Sequence, residues 1–192
     1  MEKKISKKDK IINAALKIIT KKGNMDFTIR DVILDADVNV ASVNYYFGTK
    51  KKLIQEIEKK FMQTLFEYNI ILKNPKIPPK QRLFNWAYTI IEDLINNPGI
   101  VSILSNKLIL TEQFDENIEL FIQEHTSYLS GIIKEITGIE DEERIYLRII
   151  RFDADLFFPM LFSKNAEKIF GFSIYNPEIR NKYIKLVIDS IL

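Results

Sequence analysis

VNVASVNYYFGTKKKL, residues Val38 to Leu53, has the punctuation of a short outward-facing helix, a turn and a second helix. Asn39 is placed to cap the first helix by accepting a hydrogen bond from the backbone N–H at position 41 or 42. Val43 and Phe47 stand four residues apart and therefore share one buried face. Val40, Ser42, Asn44 and Tyr45 are left directed outward, a small and polar-aromatic set suited to base edges. Gly48 ends the helix at little cost, because glycine enters the left-handed region without steric penalty. Thr49 then caps a helix that opens with Lys50, Lys51 and Lys52. Three cations in a first turn oppose the helix macrodipole, which favours negative charge at that end. Cations held at a disfavoured place point to an anionic partner, and phosphate fits.

The preceding residues supply the other half of a motif. Thr28 is a good N-cap, and Ile29, Val32, Ile33 and Ala36 form an apolar stripe over about two turns. Asp37 falls at the turn, followed by the apolar anchor Val38. Two short helices joined tightly, the second facing outward, make a helix-turn-helix. Upstream, Ile11, Ile12, Ala15, Leu16, Ile18 and Ile19 predict a longer amphipathic helix that Gly23 terminates. These three helices are expected to enclose one small core.

The N-terminal region resembles the TetR family of transcriptional regulators. The resemblance covers roughly residues 8 to 54 and rests on an ordered set of residues. An apolar helix ends in Lys22-Gly23, then comes Phe27-Thr28-Ile29-Arg30-Asp31-Val32, then Ala36, Val38, the run from Tyr46 to Lys50, and Leu53. Two positions depart from the family pattern: Ile33 stands where the family usually has Ala, and Asp37 where it usually has Gly. Asp tolerates a left-handed turn better than most residues. The DNA-binding set expected from motif and resemblance is Thr28, Arg30, Asn39, Val40, Ser42, Asn44, Tyr45, Tyr46, Thr49 and Lys50. Within it, Ser42, Asn44 and Tyr45 face the major groove, while Thr28, Tyr46 and Lys50 hold phosphates.

Charge is distributed in agreement with this reading. Residues 1 to 60 hold 14 Lys and Arg against 8 Asp and Glu, a net of about +6; the remainder holds 14 against 18, about −4. The overall +2 is uninformative, but the basic charge accompanies the helix-turn-helix. With no cysteine, disulfides, thiol chemistry and cysteine-based metal sites are excluded. The basic N-terminus has an apolar run broken by Lys17 and no small-residue cleavage site, so it is not expected to be a signal peptide. No stretch approaches the ~18 to 20 apolar residues of a membrane span. The expected location is cytoplasmic, with the nucleoid.

Beyond Lys50 every segment reads as helix, with proline and glycine at boundaries. A linking helix runs from about Lys50 to Asn74, stopped by Pro75. Pro78-Pro79 opens the next, which carries Leu83, Trp86, Ala87, Ile90, Ile91 and Leu94. Asn97 caps another that has Pro98 at its first position. Thr111 or Asp115 starts a long helix through Phe114, Ile118, Phe121, Ile122, His125, Leu129, Ile132 and Ile136, closed by Gly138. A further helix spans about Asp141 to Ser163, with Pro159 expected to bend it. A polar, glycine-containing connection from Ser163 to Asn176 leads to a last helix from Pro177 to Leu192. The fold class is all-α, with about nine helices. Three form a DNA-binding domain over 1–52, and six a ligand-binding and dimerisation body over 53–192.

The last two helices carry apolar residues on more than one face. Ile145, Ile149, Phe152 and Leu156 make one stripe, and Leu147, Ile150, Ala154 and Phe157 another. A helix apolar most of the way round is buried, either in its own core or under a second copy of the chain. The resemblance implies a dimer in which the last two helices form a four-helix bundle. The interface expected on that basis is Ile149, Phe152, Leu156, Ile184, Leu186 and Ile188. A two-fold dimer suits recognition of paired half-sites.

The resemblance further implies a small-molecule cavity between the middle helices, which carry Phe61, Phe66, Trp86, Phe114, Phe121, His125 and Tyr128. The candidate ligand-binding set is Trp86, Phe121, His125, Tyr128 and Asp153. His125, the sole histidine, lies within an apolar face as either a satisfied core residue or a ligand contact. Asp153 lies among Ile149, Ile150, Leu156 and Phe157. An unpaired buried carboxylate is costly, so it requires Arg148, an arginine of a second subunit, or a cationic ligand. One histidine, no cysteine and no glycine-rich phosphate loop leave little from which to build an enzyme, and no metal or cofactor is expected. The function implied is a one-component regulator, with repression inherited from the resemblance alone. It would bind an inverted-repeat operator in double-stranded DNA as a homodimer and release it to an inducer. A TetR-like activator and a helical protein–protein interaction module are the alternatives.

Overall fold

The computed structural model of the chain describes residues 6–110 and 116–192, and only the backbone of 106–110, 162–164 and 166. Among the described residues there are nine helices and no strand. They are α1 (Lys7–Lys22), α2 (Ile29–Ala36), α3 (Val40–Tyr46), α4 (Lys50–Lys73), α5 (Pro79–Asn96), α6 (Pro98–Leu110), α7 (Glu116–Thr137), α8 (Glu142–Phe170) and α9 (Pro177–Ile191). The expected cap at Thr111 or Asp115, and Phe114, lie outside the described residues. The chain divides into two compact units: Met1–Gln63 with Asn97–Gln113, and Thr64–Asn96 with Phe114–Leu192. The boundary drawn from sequence at residue 52 falls inside the first of these.

In the first unit the helix ends are set by local chemistry. Ser6 accepts from the Asp9 amide at 3.1 Å, and Gly23, at φ 71°, closes α1 with its N–H on the Ile19 carbonyl. Thr28 and Asp31 form a reciprocal capping box at the start of α2: Thr28 Oγ1 accepts from the Asp31 N–H at 3.1 Å, and Asp31 accepts from the Thr28 N–H at 2.8 Å. Asp37 ends α2 at φ 50°, the single non-glycine residue with positive φ among the described residues. Asn39 Oδ1 accepts from the Ser42 N–H at 2.8 Å to open α3.

The core of this unit is larger than three helices. Ile11, Ala15, Ile19, Phe27, Val32, Val43 and Phe47 are joined by Leu53 and Ile57 of α4 and by Ile103 of α6. Phe61 is buried and belongs by its place in α4 to the first unit. The backbones of α1 and α6 come close at Gly99, where a Cβ would stand 2.7 Å from the Leu16 carbonyl oxygen and 2.9 Å from Thr20 Oγ1. Only glycine fits that crossing, which identifies α6 as part of the first unit. Sequence periodicity had placed it in the body.

In the second unit α5 is the central helix, packed against α7, α8 and α9. Leu83, Trp86, Ala87, Ile90, Ile91 and Leu94 are all buried. Around them lie Leu129 and Ile133 of α7, Ile145, Ile149, Phe152 and Leu156 of α8, and Ile184, Val187 and Ile188 of α9. Helix α8 corrects the expected stop at Ser163: it continues to Phe170 and ends at Gly171, φ 73°, whose N–H reaches the Glu167 carbonyl at 3.0 Å. Pro159 lies inside that helix. A proline there removes the donor for the carbonyl four residues earlier, that of Asp155. The Tyr183 hydroxyl of α9 donates to that same carbonyl, and the helix runs on across the proline.

Candidate functional site

The first candidate surface is α3 with the residues that flank it. Tyr45 is 83% exposed and Val40 57% exposed, and Asn44 is exposed beside them. Val43 and Phe47 anchor the opposite face at 1% and 3% exposure, so the orientation of α3 is fixed by burial on one side only. Tyr45 and Tyr46 meet edge to face with centroids 5.0 Å apart, which stiffens both rings. Ser42 is half-buried, and its Oγ donates to Asn39 Oδ1 at 2.8 Å. Its proton is therefore engaged within the cap, unlike the free side chains of Asn44 and Tyr45.

The caps leave donors on the surface. Thr28 Oγ1 and Thr49 Oγ1 accept from the amides of Asp31 and Lys52; the Thr28 hydroxyl proton is directed to the Asp31 carboxylate, while Thr49 keeps its own. Asn39 uses its oxygen twice and keeps its amide N–H2. Arg30, Lys51 and Lys52 are exposed, while Lys50 is half-buried. The Lys50 ammonium lies 4.5 Å from the centroid of the Phe27 ring, a cation–π contact that holds it at the start of α4. Hydroxyl, amide and cationic donors on both sides of an exposed helix form a surface suited to phosphates with base edges between them. Asp31 balances the cap: the Thr28 amide and hydroxyl hydrogen-bond its carboxylate and hold it below the usual aspartate range.

A second constellation lies within the other unit. Trp86 is fully buried, and His125 is stacked on it with centroids 4.6 Å apart. Phe121 stacks on the other side of His125 at 5.6 Å, and Phe66 meets Phe121 edge-on. His125 Nε2 and Asp153 Oδ1 are 3.1 Å apart. That pairing answers the question left open at Asp153, because Arg148 instead donates to the Ile191 carbonyl. Trp86 Nε1 donates to Asn69 Oδ1 at 3.3 Å. Asn69 Nδ2 and His125 Nδ1 are both shielded and without a hydrogen-bond partner.

Of the five expected ligand residues, Trp86, Phe121, His125 and Asp153 thus come together. Tyr128 does not join them: its hydroxyl donates to Glu124 at 2.9 Å, and Lys73 sits over its ring. Asn69 was missed. Its sequence signal was an amide on the same face as Leu65 and Leu72 of α4, both buried.

The expected dimer residues need correction. Ile149, Phe152, Leu156, Ile184 and Ile188 are buried within the single chain, each at 4% exposure or less, so they are core and offer no outer surface. Leu186 alone of that set is exposed, at 66%. Of the other α8 stripe, Leu147, Ile150 and Ala154 are exposed while Phe157 is half-buried, and the outward face continues instead through exposed Phe158 and Leu161. The spacing of the exposed residues, three, four, four and three, keeps them on one face.

Comparison with known proteins agrees with this architecture. Residues 11–57 match the family model described as bacterial regulatory proteins, tetR family. The biofilm operon icaADBC HTH-type negative transcriptional regulator IcaR of Staphylococcus aureus is 32% identical over 146 residues, which cover 72% of this chain and 72% of that one. The chain belongs to the TetR family. A further relative of this regulator is YttP of Bacillus subtilis, described as a probable HTH-type transcriptional regulator. It is 38% identical over 60 residues, 31% of this chain and 29% of that protein, so that match spans less than a third of either. Among solved structures, a TetR transcriptional regulator from Legionella pneumophila superposes with a TM-score of 0.73 at 17% identity, covering 100% of both chains. HlyIIR, a hemolysin II transcriptional regulator, gives 0.67 at 21% identity, covering 96% of each. Both share the fold of this regulator. Among the described residues no helix is long and apolar enough to cross a membrane, and no group of three or more His, Asp or Glu is placed to hold a metal ion.

Proposed function

We propose that this regulator is a repressor that binds an inverted-repeat operator as a homodimer in the cytoplasm and releases it when a small molecule enters the second unit. The observation that carries the reading is α3. Exposed Val40, Asn44 and Tyr45 are presented on a helix locked by Val43 and Phe47, with unspent donors of Asn39 and Thr49 on its flanks. The DNA contacts lie within residues 1–52, and 53–192 serve regulation and assembly. Repression is supported by the printed role of IcaR as a negative regulator. Homodimerisation is supported by the exposed stripe from Leu147 to Leu161, joined by Leu186 of α9. An inducer is supported by the two unpartnered polar atoms of Asn69 and His125 beside Trp86. A ligand that satisfies them favours one arrangement of the protein over another, which a shift of equilibrium requires. Helix α4 contributes residues to both units and is the covalent path for the response.

The test is selection of operators from randomised inverted repeats, followed by titration of two variants against salt. Asn44→Ala removes a side chain suited to adenine edges and relaxes base preference at one position per half-site by about 1–3 kcal/mol. Lys50→Ala weakens all sequences alike and flattens the salt slope by about one unit. Equal, sequence-independent losses in both variants would refute the assignment of roles on α3. No salt-dependent DNA binding by the unaltered protein would refute the function.

A further inference from the structure

The geometry points to a second ligand site in the second unit: the groove between α5 and α9 accepts a small aromatic carboxylate. The groove is open to solvent and offers about 750 Å³, within the range of roughly 300–1,000 Å³ typical of small-molecule sites. Its residues on α5 lie on the side of the helix opposite to Trp86, so it is a different place from the buried Trp86–His125 cluster.

The floor is aromatic. Phe84 and Tyr88, one turn apart on α5, line the groove with ring planes within 23° and centroids 6.1 Å apart. Arg180, buried in the fold, places its guanidinium 5.0 Å from the Tyr88 centroid and donates to the Tyr88 hydroxyl at 3.3 Å. A cation held against a ring draws on its π density and favours stacking with a second aromatic ring.

The polar groups are donors. Asn85 Oδ1 is occupied by Gln81 Nε2 at 2.7 Å, which leaves the Asn85 N–H2 for the groove. Asn181 lines the α9 side, and its Oδ1 is shielded from solvent without a partner. Lys185 is exposed and has no ion-pair partner among the described residues. The acid at the rim, Asp189, is already paired with Lys80 at 3.4 Å. The Asn85 amide donor and a free ammonium beside a stacked aromatic floor select a ligand that is flat and anionic at one end. A carboxylate accepts from several such donors at once.

The test is calorimetric titration of the full-length protein with 2-naphthoate, its uncharged match 2-naphthamide, and the saturated acid cyclohexanecarboxylate. Expected is saturable binding of 2-naphthoate, with both comparison compounds about tenfold weaker or worse, since one charged or stacking contact is worth on the order of 1.4 kcal/mol. Lys185→Ala should erase the preference for the acid over the amide. Asn181→Asp, which sets a like charge against the carboxylate, should abolish binding, and an unchanged melting temperature without ligand shows that both variants are folded. Naphthoate binding left intact by Lys185→Ala and Asn181→Asp, or no saturable binding of any of the three compounds, overturns the proposal. Gel shift of the ligand-free protein scores operator binding separately, so failure here is distinguishable from failure of the regulatory reading.

Discussion

Ser6, Thr28, Asn39 and Thr49 each accept a hydrogen bond from the helix they open, and all four belong to the first unit. The second unit caps α8 and α9 in the same way, through Asp141 and Asn176, but its interior differs. The shielded side-chain polar atoms without partners among the described residues are on Asn69, Arg82, His125, Arg180 and Asn181, all in that unit. Among the described residues, the first unit leaves no shielded side-chain polar atom without a partner. The other keeps polar atoms unanswered in a low-dielectric interior, where each costs on the order of 1–3 kcal/mol unless something binds. The contrast separates a unit whose shielded polar groups are satisfied from one in which several are not.

The comparison breaks most readily at the exposed α8 stripe. Ile150→Glu with Phe158→Glu should leave each chain folded but convert a dimer to monomer in light scattering, because the two charges face water in the single chain. Operator affinity should fall by about a hundredfold or more, as two linked heads gain roughly 10²–10⁴ over one. A folded, dimeric double variant would move the interface elsewhere.

Next in size is the crossing of α1 and α6. Gly99→Ala forces a methyl group against the Leu16 carbonyl and should destabilise the first unit by about 1–3 kcal/mol. Gly131 of α7, with nothing near a Cβ, should instead gain roughly 0.5–1 kcal/mol as alanine. Chemical denaturation of the two variants reads both signs. Equal behaviour would mean that the close approach at Gly99 is not maintained in solution.

Tyr183→Phe removes only the hydroxyl that answers the Asp155 carbonyl across from Pro159. The expected loss is about 1–2 kcal/mol, with faster amide exchange confined to α8 near the proline. Restoring the backbone donor with Pro159→Ala should rescue the Tyr183→Phe variant, and absence of rescue would refute the link between the two residues.

The smallest effect is a pH dependence in the capping box. Thr28 hydrogen bonds lower the folded pKa of Asp31 below its ordinary value of 3.8. A lowered carboxylate pKa gives stability that is present above the unfolded value and lost as pH falls through the folded one. Asp31→Asn should therefore melt lower than the unaltered protein at neutral pH and approach it in acid below that range. A difference that persists unchanged at low pH would assign the box a purely neutral role.

Much of the first unit was legible because its signals are local. Thr28, Asn39, Gly23 and Gly48 act on residues three or four positions away, and chain order carries that information directly. The two long helices of the second unit were legible as helices, but not in their outward faces. Both α8 stripes have the same period and the same apolar chemistry, and period alone cannot say which meets α5. The helix stop near residue 163 failed for a related reason: polar residues and a nearby glycine resemble a loop until Gly171 is seen to be the cap.

By itself the sequence determined the helix-turn-helix, its caps, the all-helical class and the family, since these follow from side chains acting on their own neighbourhood. Tertiary structure alone decided that α6 packs with α1 through Gly99 and that Asp153 meets His125 rather than Arg148. It also decided that Tyr183 repairs the gap left by Pro159, and that Leu147 to Leu161, not Ile149 to Leu156, is the exposed face. Each of these depends on residues distant in the chain sharing a few ångströms of space, where packing and desolvation select one arrangement among several that local periodicity allows.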